Sequence, residues 1–208
     1  MTQTVPGVAL SSDFISGFCD ETEDEHRDTV TLMQQVKFEQ AFMFAYSMRD
    51  KTHAYHRMAD NVPEDVKARR LKEVIDTFRE HCAIQNAAEV GRYHVLLVEG
   101  TAKRSTPEEP KLVGRVDNGK RCIIPDVPVF PHMPSDTTLE QADALLAAGA
   151  TGSDVQPRVP LQKGDFVVVK VSHAGVITLN AQPVARTTVQ DSARFMELAR
   201  SEHGGGAL

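Results

Sequence analysis

The sequence predicts an α/β segment followed by an all-β one. Three observations predict it. An apolar strand, an acid-led amphipathic stretch and a second apolar strand follow one another within the first 46 residues, an order that implies parallel pairing. From Tyr93 onward, short runs rich in Val, Leu and Ile recur between glycine turns, the pattern of a small β-barrel. A chain of 208 residues with 41% hydrophobic content can bury a core in one or two domains.

The elements follow in order. Val8–Gly17 has strand composition interrupted by Asp13. Asp20–Thr22 offer N-caps, and Glu23, Asp24 and Glu25 complement the positive end of a helix dipole. Val30, Met33 and Val36 then recur at helical spacing, so the helix is placed at 22–37. Phe38–Tyr46, "FEQAFMFAY", reads as a buried strand, and Arg49–Asn61 as a polar, irregular stretch. Asn61 is a cap candidate and Pro63 suits a first helical turn, so a long helix is expected over 63–89, closed by Gly91.

Strands follow at Tyr93–Glu99, Val113–Val116 and Arg121–Ile124, the last two joined by "DNGK", a type I′-like hairpin signal. Further strands are expected in 161–171 and 176–188. The Pro-, Ala- and Gly-rich stretch 130–160 interrupts the barrel. It carries a helix at about 138–148 and otherwise reads as a flexible insertion. The expected domains are 1–90 and 91–190, with 191–208 a flexible tail.

The net charge of −6 argues against a globally basic nucleic-acid binder. It leaves room for a local basic face. The barrel segment supplies one, in Arg92, Lys103, Arg104, Lys111, Arg115, Lys120, Arg121, Lys163, Lys170 and Arg186. Lys103 and Arg104 follow the first barrel strand, and Lys120 and Arg121 sit at a hairpin tip, positions from which cations reach an RNA backbone. A mixed solubility surface is the other reading of the same residues.

Cys19, Cys82 and Cys122 are few, odd in number and far apart. They predict reduced thiols with no disulfide partner, and no CxxC pair or CxxxCxxC triplet marks a metal site. No apolar run approaches the about 18 residues of a membrane span, so no membrane partner is expected. "MTQTVPGVAL" has neither a basic n-region nor Arg enrichment, so the expectation is that this chain carries no targeting signal.

Gly17 stands at the carboxyl end of the first strand, where a glycine lets a ligand approach the backbone, or serves an ordinary βα loop. Tyr46, Ser47 and Arg49 end the second strand, the face that carries chemistry in βα barrels. Arg49 could hold a carboxylate or phosphate. His53 and His56 form an HxxH pair without a convincing third ligand, and Cys19 lacks a basic neighbour that would activate it.

These stretches resemble the MiaB-type tRNA methylthiotransferases, which are radical S-adenosylmethionine enzymes. The family's "SDFIVGFPGET" is matched here by Ser12, Asp13, Phe14, Ile15, Gly17, Phe18, Glu21 and Thr22. Its "F-x-YSxRxGT" strand is matched through Tyr46, Ser47, Arg49 and Thr52, and its "VPEEVKxxRL" helix by "VPEDVKARRL". "VLLVEG", "GDFVVVKV" and "ARTT" resemble the family's RNA-binding TRAM barrel. "FCDET", "AYSMRDKT" and "HAYHR" are similar to its eukaryotic, mitochondrial branch. Cys19 and Asp20 stand where the family usually has Pro and Gly, and Asp50 and Lys51 replace a Pro-Gly-like pair.

The resemblance implies a partial radical S-adenosylmethionine βα barrel followed by TRAM. It implies 2-methylthiolation of isopentenyladenosine beside the tRNA anticodon, with S-adenosylmethionine and [4Fe-4S] clusters as cofactors, tRNA as partner and mitochondria as the compartment. Asp13, Ile15, Gly17 and Glu21 would face the cofactor. Tyr46, Ser47 and Arg49 would face the substrate, and Lys103, Arg104, Arg115, Lys120 and Arg121 the RNA. The cluster-binding CxxxCxxC loop does not occur in the sequence, so the chain is expected to be a C-terminal piece, with no catalytic residue or metal ligand to assign. A stand-alone RNA-binding module without catalysis is the alternative.

Overall fold

Strands β1 (Ser11–Ser16) and β2 (Gln40–Ala45) pair in parallel, from Ser11 opposite Gln40 to Ser16 opposite Ala45. The crossover between them is helix α1 (Glu23–Val36). Its start is a capping box: the Thr22 hydroxyl accepts the Glu25 N–H at 3.2 Å, and the Glu25 carboxylate accepts the Thr22 N–H at 2.8 Å. The short helix α2 (His53–Arg57) and the long α3 (Glu64–Ala87) follow. The computed structural model describes residues 8–151 and 157–203, and the chain divides into two compact units, Met1–Gln85 and Asn86–Leu208.

In the first unit one face of the two-stranded sheet is buried. Phe14, Val30, Met33 and Val74 form its core, with Phe38 edge-on to Phe14 at 5.3 Å between ring centroids. The other face is open. Ile15 and its register partner Phe44 are each 54% exposed, and Phe42 is also exposed. The expectation of a buried second strand therefore fails, because the described helices cover one face and a parallel sheet needs cover on two. The stretch 49–61 is also more ordered than expected. Thr52 caps α2, its hydroxyl accepting the Tyr55 N–H at 3.2 Å.

The second unit is a closed barrel of β3 (Tyr93–Thr101), β4 (Lys111–Val116), β5 (Arg121–Pro125), β6 (Phe166–Ala174) and β7 (Leu179–Thr187). The strands follow one another around it as β3-β4-β5-β7-β6. Every pairing is antiparallel except the short β5–β7 contact. Alternation sends Leu96, Val98, Ile124, Val167 and Leu179 inward. Gly114 shares the buried face with Leu112 and Val116, and glycine is required there because a Cβ would lie 2.0 Å from the Leu97 carbonyl oxygen.

The "DNGK" turn is not type I′. Among the described residues, Asp20, Lys37 and Lys51 are the non-glycine positions with positive φ, so Asp117 and Asn118 are not left-handed. Gly119, at φ 81°, takes that conformation instead. Its N–H donates to the Val116 carbonyl at 2.7 Å, giving a type I turn closed by a glycine bulge.

The helix expected at about 138–148 is present as α4 (Leu139–Thr151). Two expectations of flexibility are overturned. Outside α4, the described part of the stretch 130–160 is anchored rather than loose, with Phe130 and Met133 buried beside Ala142 of α4 against the outside of the barrel. Residues 152–156 of that stretch lie outside the described residues. The supposed tail forms helix α5 (Val189–His203), whose Phe195, Met196 and Ala199 join the same cluster with Tyr93 and Val168. Apolar residues at i, i+1 and i+4 give α5 a stripe that the barrel wall buries. Residues 204–208 of the expected tail lie outside the described residues.

Candidate functional site

Two places gather the residues singled out by the sequence, one in each unit. In the first unit it is the pair of loops that follow β1 and β2. Gly17 has φ 78°, and a Cβ there would meet Lys67 Cγ at 2.3 Å. The close approach that requires glycine is thus made by a lysine stem from α3. Lys67 is 1% exposed, and its ammonium pairs with Asp60 at 2.7 Å and Glu64 at 2.8 Å. Its hydrogen bonds to those two carboxylates raise its pKa against the opposing effect of burial.

Glu21 was expected at the cofactor, but its carboxylate turns inward. It accepts the Gly17 N–H at 2.6 Å and the buried Arg70 guanidinium at 2.8 Å, and Arg70 also donates to the Glu21 carbonyl at 2.9 Å. Arg70 reaches Glu23 as well, at 2.7 Å. Glu21 therefore shapes the loop from below. Asp13 and Ile15 are exposed on the open face of the sheet.

Tyr46, half-buried, stacks edge-on with Phe18 at 4.8 Å and lies under the Lys67 ammonium at 5.7 Å. Desolvation and a hydrogen bond with the Cys19 thiol raise the pKa of its phenol. Ser47 and Arg49 are exposed beyond it. His53 and His56 are exposed on α2, and among the described residues no group of three or more His, Cys, Asp or Glu could hold a metal.

The second place is the outer wall of the barrel. The strand registers put Phe166 opposite Leu97, Leu97 opposite Arg115, and Arg115 opposite Arg121. One row thus crosses β6, β3, β4 and β5 with an aromatic, an aliphatic and two guanidinium groups. Leu97, Arg115 and Arg121 are exposed, and Phe166 is half-buried. Arg115 pairs with Glu99 at 3.3 Å, whereas Arg121 has no ion pair among the described residues. Like charges directly opposite on a sheet repel, which favours an anion laid across them.

Lys103 and Arg104 are exposed on the turn after β3. Lys120 is not available in that way. It is 4% exposed, and its ammonium points to Glu89 at 3.4 Å, so its expected reach to a phosphate is corrected. The basic set is narrower than composition suggests, since Lys111, Arg186 and Lys170 pair with Glu109, Asp165 and Asp143.

Sequence reading missed Lys67, Arg70, Leu97 and Phe166. The signal for the first pair was there: cations at i and i+3 in "VKARR" share one helix face. Leu97 follows from alternation along "YHVLLVE", once Leu96 and Val98 are taken as inward, and Phe166 from alternation along "FVVVKV", once Val167 and Val169 are.

The chain is 45% identical over 193 residues to the "Mitochondrial tRNA methylthiotransferase CDK5RAP1" of Mus musculus, a match that covers 93% of this chain and 29% of that protein. The Homo sapiens protein of the same name is 42% identical over 93% of this chain and 28% of its own length. A "tRNA-2-methylthio-N(6)-dimethylallyladenosine synthase" of Amoebophilus asiaticus is 44% identical over 118 residues, 57% of this chain and 24% of that protein. Over 93% of its length, then, this chain is similar to tRNA methylthiotransferases. It spans less than a third of the length of these curated relatives. No family model matches it.

Proposed function

We propose that the chain works in the 2-methylthiolation of isopentenyladenosine next to the anticodon of tRNA. The similarity to methylthiotransferases across 93% of the chain carries this reading. In it, the first unit is part of a radical S-adenosylmethionine βα barrel. The open apolar face of β1 and β2, with Ile15, Phe42 and Phe44 exposed, suits a sheet that other strands and a ligand would cover. The second unit is the TRAM barrel that holds the tRNA, and mitochondria are the compartment that the mammalian relatives' names support.

The residues present fit these cofactors unequally. Asp13 and Ile15, exposed side by side on one sheet face, offer a carboxylate and an apolar contact to S-adenosylmethionine, and Ser47 and Arg49 suit the substrate side. Glu21 would act by shaping the loop. The [4Fe-4S] clusters do not fit: Cys19, Cys82 and Cys122 are each buried and outside any disulfide, and the described residues contain no ligating group of three.

On the barrel, the Arg121–Arg115–Leu97–Phe166 row would carry phosphates on its guanidinium side and a base on its apolar side. Lys103 and Arg104 would add phosphate contacts. Fluorescence anisotropy with an anticodon stem-loop, read against salt, is the test. Replacing Lys103, Arg104, Arg115 and Arg121 by Ala should weaken binding and reduce the steepness of log K against log salt by about 0.7–0.9 for each phosphate no longer neutralised. Unchanged affinity and slope would reject the RNA-holding role.

A further inference from the structure

We propose that Asn61 is a positioning residue, holding the loop that closes β1 in its ligand-facing shape through a reciprocal pair with Asp20. The proposal rests on the reading of that loop as a cofactor edge. In the turn Phe18–Glu21 the Glu21 N–H donates to the Phe18 carbonyl at 3.0 Å, and Asp20, its third residue, has φ 64°. A turn with a left-handed third residue takes glycine most readily. Aspartate tolerates that conformation without favouring it, so something outside the turn has to hold it.

Asn61 does this with both ends of its amide. Its Oδ1 accepts the Asp20 N–H at 3.0 Å, and its Nδ2 donates to Asp20 Oδ1 at 2.6 Å. The two residues are 41 positions apart, so the pair is a tertiary clip between the loop and the approach to α3. Asn61 is not engaged in capping that helix, because the first α3 bond, Lys67 N–H to carbonyl at 3.0 Å, is accepted by Pro63.

The remaining anchors lie elsewhere on the loop. The Lys67 stem sits under Gly17, and Arg70 grips Glu21. Loss of Asn61 therefore releases one corner, at Asp20, and leaves the buried attachments in place. Glycine at position 20 makes the clip unnecessary, since it holds the same φ without strain. The rescue of one change by the other is the signature of this arrangement.

The test uses the 208-residue chain and its N61A, D20G and D20G/N61A variants. Amide hydrogen exchange is read at residues 20 and 21, and S-adenosylmethionine is titrated with the same amides followed by NMR. In N61A, exchange at both amides should rise about 10-fold or more. The dissociation constant for S-adenosylmethionine should weaken about 5- to 10-fold, with the melting temperature moved by less than about 2 °C. D20G/N61A should match D20G within about twofold on both readouts. Unchanged exchange in N61A overturns the clip, and leaves the cofactor reading standing if the wild type binds S-adenosylmethionine. Equal loss in N61A and D20G/N61A also overturns it, because Asn61 would then act other than through Asp20. Faster exchange in N61A with no S-adenosylmethionine response in the wild type defeats the cofactor reading, and the ligand-facing role of Asn61 with it.

Discussion

His94 Nδ1 lies 2.5 Å from Asp117 Oδ1, and its Nε2 lies 3.1 Å from Glu89 Oε2, so one buried imidazole bridges two carboxylates. Lys120 and Arg92 also face Glu89, at 3.4 and 3.7 Å, and Asn118 donates to it at 3.0 Å. Arg200 of α5 reaches Asp117 at 2.7 Å. The group ties the start of β3, the β4–β5 turn and α5 together. Burial alone would lower the His94 pKa, but the hydrogen bonds to Asp117 and Glu89 outweigh it and lift the value to about 9.

The barrel should accordingly lose stability in alkaline solution. A histidine whose pKa is raised on folding stabilises fully below its unfolded value, near 6.5, and its contribution is lost as pH rises through about 9. The loss is on the order of 3 kcal/mol at most. Chemical denaturation of the second unit at pH 6 and pH 9.5 should show it. In His94→Gln the difference between the two pH values should shrink, and a wild-type barrel equally stable at both would contradict the bridge.

Gly17→Ala should destabilise the first unit by about 2–4 kcal/mol, since a β-carbon meets the buried Lys67 stem at a backbone position with φ 78°. Thermal or urea unfolding measures this. A loss below about 0.5 kcal/mol would mean that Lys67 moves aside freely.

Phe195→Ala on α5 should cost about 3–5 kcal/mol, because Phe195 is 1% exposed and stacks edge-on with Tyr93 at 5.2 Å. Removal of residues 189–208 should uncover Tyr93, Val168 and Met133 and increase binding of a hydrophobic dye. A truncated chain as stable as the full one would show α5 to be an ornament on the barrel.

Anaerobic reconstitution of the 208-residue chain with iron and sulfide should yield no [4Fe-4S] cluster, since its three cysteines do not converge on a ligand set. Absorption and electron paramagnetic resonance would detect one. A stable cluster that cleaves S-adenosylmethionine on reduction would overturn the expectation.

Local chemistry is legible in the linear chain wherever the partners are neighbours. Thr22 and Glu25 are three residues apart, so the α1 capping box is written in the sequence. The parallel β1–β2 pair and the inward alternation of the barrel strands also follow from local periodicity. Three things required the tertiary structure. The direction of Glu21 depended on Arg70, 49 residues away, whose buried charge draws the carboxylate inward. The burial of Lys120 depended on Glu89, which a count of basic residues does not see. The order of 189–203 depended on the barrel wall, because an amphipathic stretch of 15 residues is marginal as a helix until something buries its apolar stripe.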